Sequence, residues 1–221
     1  MIIAGEASAD LHAGKLVRNV LSKDSDIRFF GIGGNDMRAA GVETLVDSAE
    51  LAVVGLIEVL AHRKVIFGAL HQMEDILRND PPDLLVLIDY PEFNLRLART
   101  AKECNVKVLY YIGPQVWAWR QKRVEIIRQR VDMMAVVFPF EERFYQQHNI
   151  PVEFVGHPLT DELIPVDNTK KLRDDFGLDP DKKVVGLFPG SRRSEIKRLL
   201  PIIMESAKQL AQRRNDIQFI L

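Results

Sequence analysis

The feature that most constrains the fold is an unbroken apolar run, residues 84–88, which is flanked by Asp83 and Asp89. Five consecutive aliphatic residues leave no polar face, so a strand made of them must be buried on both sides. Sheets that are covered on both faces are typical of parallel α/β architectures, in which helices connect successive strands. This run therefore predicts a parallel sheet with helices on both faces.

Short apolar segments alternate with helical patterns along most of the chain. In the first helical pattern, Leu16, Val17, Val20 and Leu21 recur on one face. The alternation predicts an α/β fold with a Rossmann-like, doubly wound parallel sheet. The predicted strands are residues 2–4, 27–32, 84–89, 107–112, 134–138, 152–155, 183–188 and 217–221, and the predicted helices are residues 11–21, 56–77, 95–103, 123–131, 141–148, 170–176 and 196–211.

The composition changes near residue 161. Residues 161–183 are charged and contain Pro165, Gly177 and Pro180, which is typical of a linker with a short helix. We expect an N-terminal Rossmann-like domain over residues 1–165, a linker over 166–182 and the beginning of a second Rossmann-like domain over 183–221. Two strands do not form a stable α/β domain, so the second domain is expected to be only partly present, as in a piece of a longer protein.

The charge balance excludes one class of partner. The 221 residues include 30 basic and 31 acidic side chains, for a formal net charge of -1. No overall positive field attracts nucleic acid, so no nucleic-acid partner is predicted, and an anionic ligand must be bound by a local group of positive charges.

The cysteine content and the apolar segments bear on the location of the protein. The single cysteine, Cys104, fits a reducing compartment. With no signal-peptide pattern at the N-terminus and no apolar run long enough to span a bilayer, we expect a cytoplasmic location.

Polar side chains crowd the loop after the first predicted strand, where Glu6, Ser8 and Asp10 follow Gly5. Ligands of open parallel sheets bind at the carboxyl ends of the strands, so these three side chains are candidate binding groups. The alternative is that Ser8 or Asp10 caps the following helix and that Glu6 is a solvated loop residue.

Asp89 ends the most buried predicted strand and is the candidate general base. A carboxylate at this position is partly desolvated, which raises its pKa and makes it a better proton acceptor near neutral pH. The alternative is a structural role, in which Asp89 caps the helix that begins near Phe93.

Gly190, Ser191 and Arg192 lie in a short turn between a predicted strand and an amphipathic helix. Backbone N–H groups, the helix N-terminus and a guanidinium together favour a phosphate or diphosphate. The alternative is an ordinary turn with Ser194 as the N-cap. The turn is not a P-loop, because the Gly-Lys-Ser/Thr element is missing.

The sequence predicts no cofactor and no metal site. Residues 31–36 begin like a dinucleotide-binding fingerprint, but Asp36 occupies the position of the third glycine, so a turn that tolerates positive φ is the better interpretation. The five histidines show no metal-ligand spacing with cysteine or carboxylate residues.

Two apolar segments are candidates for contact with lipid or sugar. Residues 51–67 are more apolar than an ordinary helix stripe and are interrupted by a basic cluster, which suits a membrane interface or lipid tails; the alternative is a core helix. Trp117 and Trp119 flank Ala118, beside Arg120; tryptophans are usually core residues, but an indole also suits a sugar face or an acyl-chain boundary. The residues assigned to acyl-chain or membrane contact are Val53, Val54, Leu56, Ile57 and Leu60.

Seven motifs in order along the chain resemble those of the lipid-A-disaccharide synthase family. They are GEASAD at 5–10, GIGG at 31–34, VGLIEVL at 54–60, IDYPEFN at 88–94, PQVWAWR at 114–120, VGHPL at 155–159 and LFPGSR at 187–192. Ala9 stands in place of the usual glycine of the first motif, and Gly113 stands where a serine is common. Each motif alone is weak, whereas the ordered series is specific.

The resemblance implies an inverting GT-B glycosyltransferase without a metal or other cofactor. Such an enzyme joins UDP-2,3-diacylglucosamine to 2,3-diacylglucosamine 1-phosphate (lipid X) and releases UDP and a β-1,6-linked tetraacyl disaccharide 1-phosphate. It implies peripheral association with the inner face of the cytoplasmic membrane; homo-oligomerisation stays open. The alternatives are another UDP-sugar enzyme, such as a UDP-N-acetylglucosamine epimerase or transferase, and a non-catalytic membrane-peripheral fragment, since residues 1–221 alone are expected to be incomplete for turnover.

The same resemblance assigns roles to single residues. Asp89 would accept the proton of the acceptor 6-hydroxyl as that oxygen attacks. Arg192 and the turn before it would stabilise the charge on the departing diphosphate. The substrate-binding residues implied are Glu6, Ser8, Asp10, Asn94, Trp117, Gly190, Ser191 and Arg192.

Overall fold

The computed structural model describes residues 1–51, 56–118, 123–161, 169–190 and 193–221, and of residues 56–62, 193 and 194 it describes the backbone. Within these ranges the chain divides into two compact units, Met1–Glu162 and Leu163–Leu221.

The first unit contains a parallel sheet with helices on both faces. Its strands are β1 (Ile2–Ala4), β2 (Phe30–Gly33), β3 (Glu43–Asp47), β4 (Leu84–Ile88), β5 (Lys107–Tyr111), β6 (Met133–Val136) and β7 (Val152–Phe154). Its helices are α1 (Ala7–Leu21), α2 (Asn35–Ala39), α3 (Ser48–Leu51), α4 (Leu56–Asn79), α5 (Pro91–Glu103), α6 (Arg123–Arg130) and α7 (Pro139–Gln147). The seven strands lie in the order β3-β2-β1-β4-β5-β6-β7.

Strand β4 shows why the sheet is covered on both faces. Leu85 and Leu87 point into one apolar cluster, which also contains residues of α4 and α5. Val86 and Ile88 point into a second cluster with residues of α1 and α2. Successive side chains of a strand face opposite sides, so an all-aliphatic strand fills both clusters. The predicted doubly wound parallel sheet is confirmed.

The strand order reverses between β1 and β4. Strand β1 pairs in parallel with β2 on one side and with β4 on the other, with Ile2 opposite Gly31 and Val86. In open α/β sheets, ligands bind in the crevice at the carboxyl ends of the strands where the order reverses. The loops after β1 and β4 are therefore the ones that the topology selects for a site.

The sequence prediction missed three elements of the first unit: β3, α2 and α3. Strand β3 lies at the edge of the sheet and is only half-buried, so its alternating pattern is weak.

The glycine-rich segment at residues 31–34, predicted to be a turn, instead ends β2 and leads into α2. Gly31 lies within β2 at φ 146, where a Cβ would clash with the carbonyl oxygen of Ile2. Gly34 has a φ of -118 and occupies the N-cap of α2.

The second unit contains two parallel strands, β8 (Lys183–Gly186) and β9 (Ile217–Ile220), and the helices α8 (Thr169–Asp175) and α9 (Arg193–Arg213). Lys183 pairs with Ile217 and Gly186 with Ile220. No helix in the described ranges of either unit has the length and apolarity needed to cross a bilayer.

Candidate functional site

The loops after β1 and β4 contact each other through a glycine. A Cβ on Gly5 would lie 2.5 Å from Cδ1 of Tyr90, so only glycine lets the Tyr90 ring pack against the first loop. Burial raises the pKa of the Tyr90 hydroxyl, and the negative charge of Glu6 raises it further. The structure therefore brings Glu6 and the Asp89–Tyr90 loop to the same edge of the sheet.

Asp89 lies on strained backbone at this edge. It has φ 47 and Tyr90 has φ 44, so two consecutive non-glycine residues are left-handed. Ile112, just after β5, has φ 54, and its carbonyl accepts a hydrogen bond from the Asp89 N–H at 3.2 Å. Each such residue costs about 1–3 kcal/mol and persists only where its surroundings hold it, most often at functional sites. Since Tyr90 is the N-cap of α5, Asp89 is not the N-cap residue of that helix.

Two buried side chains hold the Asp89 backbone in this conformation. The Asn94 amide Nδ2 and the Tyr110 hydroxyl each donate a hydrogen bond to the Asp89 carbonyl oxygen at 2.6 Å. Asn94 Nδ2 also donates to the Ile88 carbonyl at 3.2 Å, and both side chains are fully buried. Burial, followed by the charge of Asp89, raises the pKa of Tyr110 well above its usual value, so the hydroxyl stays a neutral donor. Direct substrate contact by Asn94 stays a prediction.

Asp10 uses its carboxylate inside the protein. Its Oδ1 accepts hydrogen bonds from the backbone N–H groups of Gly34 at 2.7 Å and Met37 at 3.1 Å, and its Oδ2 accepts one from Asp36 at 2.9 Å. The Asp10 residue is only 4% exposed, and a Cβ on Gly34 would lie 2.7 Å from Oδ2. Asp10 therefore anchors the N-terminus of α2 to α1.

The other two polar residues of the first loop are more accessible. Glu6 occupies the N-cap position of α1 and is half-buried, and Ser8 is exposed in the first turn of that helix. Both lie near the carboxyl end of β1, and their contact with substrate stays a prediction.

Trp117 belongs to an aromatic cluster beyond β5 and β6. Its Nε1 donates a hydrogen bond to Glu141 Oε1 at 3.1 Å, and Glu141 Oε2 accepts one from the Phe138 N–H at 3.1 Å. The Trp117 ring packs edge-on against Phe140 with centroids 4.8 Å apart, and Phe138 stacks on Phe140 at 5.6 Å. Glu141 is 3% exposed, whereas Phe140 is 48% exposed. The cluster thus presents an accessible aromatic surface held by a buried carboxylate.

In the second unit, Gly190 has φ 101 and precedes α9, which begins at Arg193. A Cβ at this position would lie 2.5 Å from Glu195 Oε2, so both the backbone conformation and the space require glycine. Ser191 and Arg192 lie outside the described residues, and their contact with a diphosphate stays a prediction.

The residues predicted to contact acyl chains or the membrane are only partly described. Val53 and Val54 lie outside the described residues. Leu56, Ile57 and Leu60 belong to α4, but their side chains are not among those described.

Residues 1–221 match the family model described as Lipid-A-disaccharide synthetase. The chain belongs to this family. Over its full length it is 60% identical to the lipid-A-disaccharide synthase of Geobacter sulfurreducens and 45% identical to that of Coxiella burnetii. It spans 58% and 59% of the length of these curated relatives. The resemblance read from the sequence motifs is confirmed.

Solved structures similar to this chain indicate its fold class. The S. aureus protein MnaA, solved with UDP, aligns at a TM-score of 0.59 and 11% identity, covering 95% of this chain and 59% of its own. The UDP-GlcNAc 2-epimerase of Neisseria meningitidis, bound to UDP-GlcNAc, aligns at 0.55 and 11% identity, covering 94% and 68%. At such low identity these likenesses show the fold alone, which is of the GT-B type.

The sequence patterns did not single out Tyr110, Phe140 or Glu141, three residues that the structure places around the candidate site residues Asp89 and Trp117. Tyr110 lies inside a strand, where an aromatic residue normally signals core packing, and its hydroxyl contact depends on the neighbouring strand. Phe140 and Glu141 lie in the first turn of α7, just after the short loop that follows β6. Because ligands of parallel sheets bind near the loops after the strands, this position alone could have indicated both residues.

Proposed function

We propose that the protein containing this chain transfers 2,3-diacylglucosamine from UDP-2,3-diacylglucosamine to 2,3-diacylglucosamine 1-phosphate. Membership of the lipid-A-disaccharide synthetase family supports the reaction. The observation that supports the site is the strained loop that carries Asp89 at the reversal point of the strand order. The donor, the acceptor and a peripheral position at the inner membrane are parts of this proposal.

Asp89 is proposed as the general base. As the acceptor 6-hydroxyl oxygen attacks the anomeric carbon, Asp89 takes the hydroxyl proton, and the bond from that carbon to the diphosphate breaks. The electron pair leaves with UDP, the anomeric configuration inverts, and Asp89 later returns the proton to water. The left-handed backbone matters because it fixes the direction in which the carboxylate leaves the strand, and correct placement is a large part of catalysis.

The leaving diphosphate is proposed to bind at the N-terminus of α9. Gly190, with positive φ, precedes this 21-residue helix, which begins at Arg193 and whose N-terminal N–H groups carry partial positive charge. Ser191 and Arg192 would add a hydroxyl and a guanidinium there. Such donors stabilise negative charge most where it grows in the transition state.

The acceptor sugar and its acyl chains are proposed to meet two apolar surfaces. The exposed Phe140 ring and the Trp117 indole, packed edge-on, offer an accessible aromatic surface that suits a sugar face or the start of an acyl chain. The apolar segment that begins α4 would contact the acyl chains at the membrane surface.

The function is tested by UDP release from the longest natural protein that contains these 221 residues. We expect release when UDP-2,3-diacylglucosamine and the monosaccharide phosphate are supplied together, and none with unacylated UDP-N-acetylglucosamine. Turnover of the unacylated nucleotide sugar, with or without the acceptor, would instead indicate another UDP-sugar enzyme and would contradict the proposal.

Substitution of Tyr110 by phenylalanine is expected to lower kcat by about tenfold and to leave KM nearly unchanged. The change removes one hydrogen bond to the Asp89 carbonyl, worth about 0.5–1.5 kcal/mol, and loosens the loop without altering its contact with substrate. Steady-state kinetics in the same protein measures both constants. Tyr145→Phe is the matched control, because this buried hydroxyl donates to the Pro114 carbonyl rather than to Asp89. Equal kcat values for the two variants would show that Tyr110 does not position Asp89.

The triple variant Leu56→Gln, Ile57→Gln and Leu60→Gln is expected to weaken binding to phosphatidylglycerol vesicles at least tenfold. Each side chain would lose roughly 1.5 kcal/mol or more of apolar burial if it inserts fully into the membrane interface. Cosedimentation measures the binding, with Leu199→Gln on exposed α9 as the control. If the helix segment is instead part of the core, the variant loses thermal stability and keeps the vesicle affinity of its folded fraction.

A further inference from the structure

A cavity of about 460 Å³ lies in the first unit, and its lining residue His157 adjoins the aromatic cluster through Phe138, with ring centroids 5.6 Å apart. Its walls are α1, the end of β5 and the segment that follows β7. The charged and hydrogen-bonding side chains that matter here are His12, Lys15, Arg18, Tyr111, His157 and Asp161.

The cavity gathers positive charge. Lys15 and Arg18 are permanent cations, His12 and His157 become cations on protonation, and Asp161 is the carboxylate among the lining residues. Burial lowers the pKa of His12, and the charges of Lys15 and His157 lower it further. The cationic side chains in this cavity therefore repel one another. A bound anion would attract each of them and so offset that repulsion.

One polar atom of the cluster lacks a partner in the described structure. The Nδ1 atom of His12 is buried and makes no hydrogen bond with any described residue. Because this atom has almost no accessible surface, contact between the His12 imidazole and an anion in the cavity would be made through its other ring nitrogen, Nε2.

The donors at this cavity match a phosphate better than a simple carboxylate. Two imidazoles, an ammonium, a guanidinium and the Tyr111 hydroxyl can donate from several directions, and a phosphate monoester offers three strongly accepting oxygens. We propose that this cavity binds a phosphate monoester.

The position of the cavity indicates the source of that phosphate. Tyr111 pairs in register with Ile88, the residue before Asp89, and neighbouring strands lie about 4.8 Å apart. In a hexose pyranose, C1 and C5 are both bonded to the ring oxygen, so an anomeric phosphate lies close to the carbon that carries the 6-hydroxyl and can reach a cavity near Asp89. If the proposed function holds, the cavity receives the 1-phosphate of the acceptor sugar; this assignment of the source rests on that function.

Binding of two probes, inorganic phosphate and glucosamine 1-phosphate, tests the site by calorimetry on the 221-residue chain. We expect Arg18→Gln and His157→Gln each to weaken the binding of both probes by about five- to tenfold, because each removes a donor to the anion. Asp161→Asn removes the opposing carboxylate and is expected to strengthen binding. Lys23→Gln, an equal loss of charge just beyond the end of α1, is the control. Arg18 is exposed, so its substitution leaves folding intact.

Acceptor kinetics of the same variants in the longest natural protein separates the two sources of phosphate. A higher KM for the acceptor, with an unchanged KM for the UDP-sugar, assigns the cavity to the acceptor phosphate. Weakened probe binding with an unchanged acceptor KM assigns it to free phosphate. If Arg18→Gln, His157→Gln and Lys23→Gln bind both probes equally well, the phosphate site is refuted. Probe binding does not require turnover, so failure of the proposed reaction is recognised separately.

Discussion

Replacement of Asp89 by asparagine is expected to lower kcat by about 10²- to 10⁴-fold, the range typical for loss of a general base. Asparagine has nearly the same shape as aspartate and adopts left-handed backbone readily, so the strained loop with φ 47 at this position is retained. The hydrogen bonds from Asn94 and Tyr110 are also retained, because they reach the backbone carbonyl and not the carboxylate. The variant therefore removes the proton-accepting carboxylate and leaves the backbone contacts that position the residue unchanged.

The measurement is UDP release at saturating concentrations of both substrates, together with KM for each. We expect both KM values to change little, since the lost interaction acts mainly in the transition state. Asp83→Asn is the matched control: it makes the same change of charge at the amino end of β4, on an exposed side chain. Near-normal turnover of Asp89→Asn would remove Asp89 from the role of base.

The parts of the fold that could be predicted are those in which local pattern and burial agree. Residues 84–88 are aliphatic on both faces and form β4 within one residue of the prediction, since no other element buries such a run. Strand β3 was missed because Glu43–Asp47 lies at the sheet edge, where mixed polarity is tolerated. The amphipathic helices were found, but α5 begins four residues before the prediction because Pro91 occupies its N-terminus.

The residues of the candidate site likewise divide into those that the sequence pattern could predict and those that it could not. Asp89 could be selected from sequence because it is the carboxylate directly after the most buried strand, and strand ends are adjacent in a parallel sheet. Of its two supports, Asn94 was selected only as a substrate-binding residue, and Tyr110 could not be selected, since it contacts the Asp89 carbonyl across 21 positions of the chain. The left-handed backbone at Asp89, Tyr90 and Ile112 also has no sequence signal, because none of these residues favours positive φ as glycine does. Support of this kind depends on tertiary contacts rather than on local residue preference.

Asp10 gives the second large effect, and the effect is on stability. Asp10→Ala is expected to lower the free energy of unfolding by about 3–5 kcal/mol, because three backbone N–H groups at the start of α2 lose a charged acceptor in a buried place. Since whole domains are stable by about 5–15 kcal/mol, a loss of this size is severe. Urea unfolding followed by circular dichroism measures it, with Asp26→Ala, an exposed carboxylate beyond α1, as the control.

Asp10→Asn distinguishes anchoring from direct substrate binding. Asparagine keeps one accepting oxygen but turns an amide donor toward a backbone N–H group, so we expect a destabilisation of about 1–3 kcal/mol, smaller than that of alanine. If Asp10 acts by holding α2, the order of stability is wild type, then Asp10→Asn, then Asp10→Ala, and the KM of the folded enzyme changes little. A raised acceptor KM with unchanged stability in both variants would mean that the carboxylate contacts substrate and that its three backbone hydrogen bonds do not hold α2.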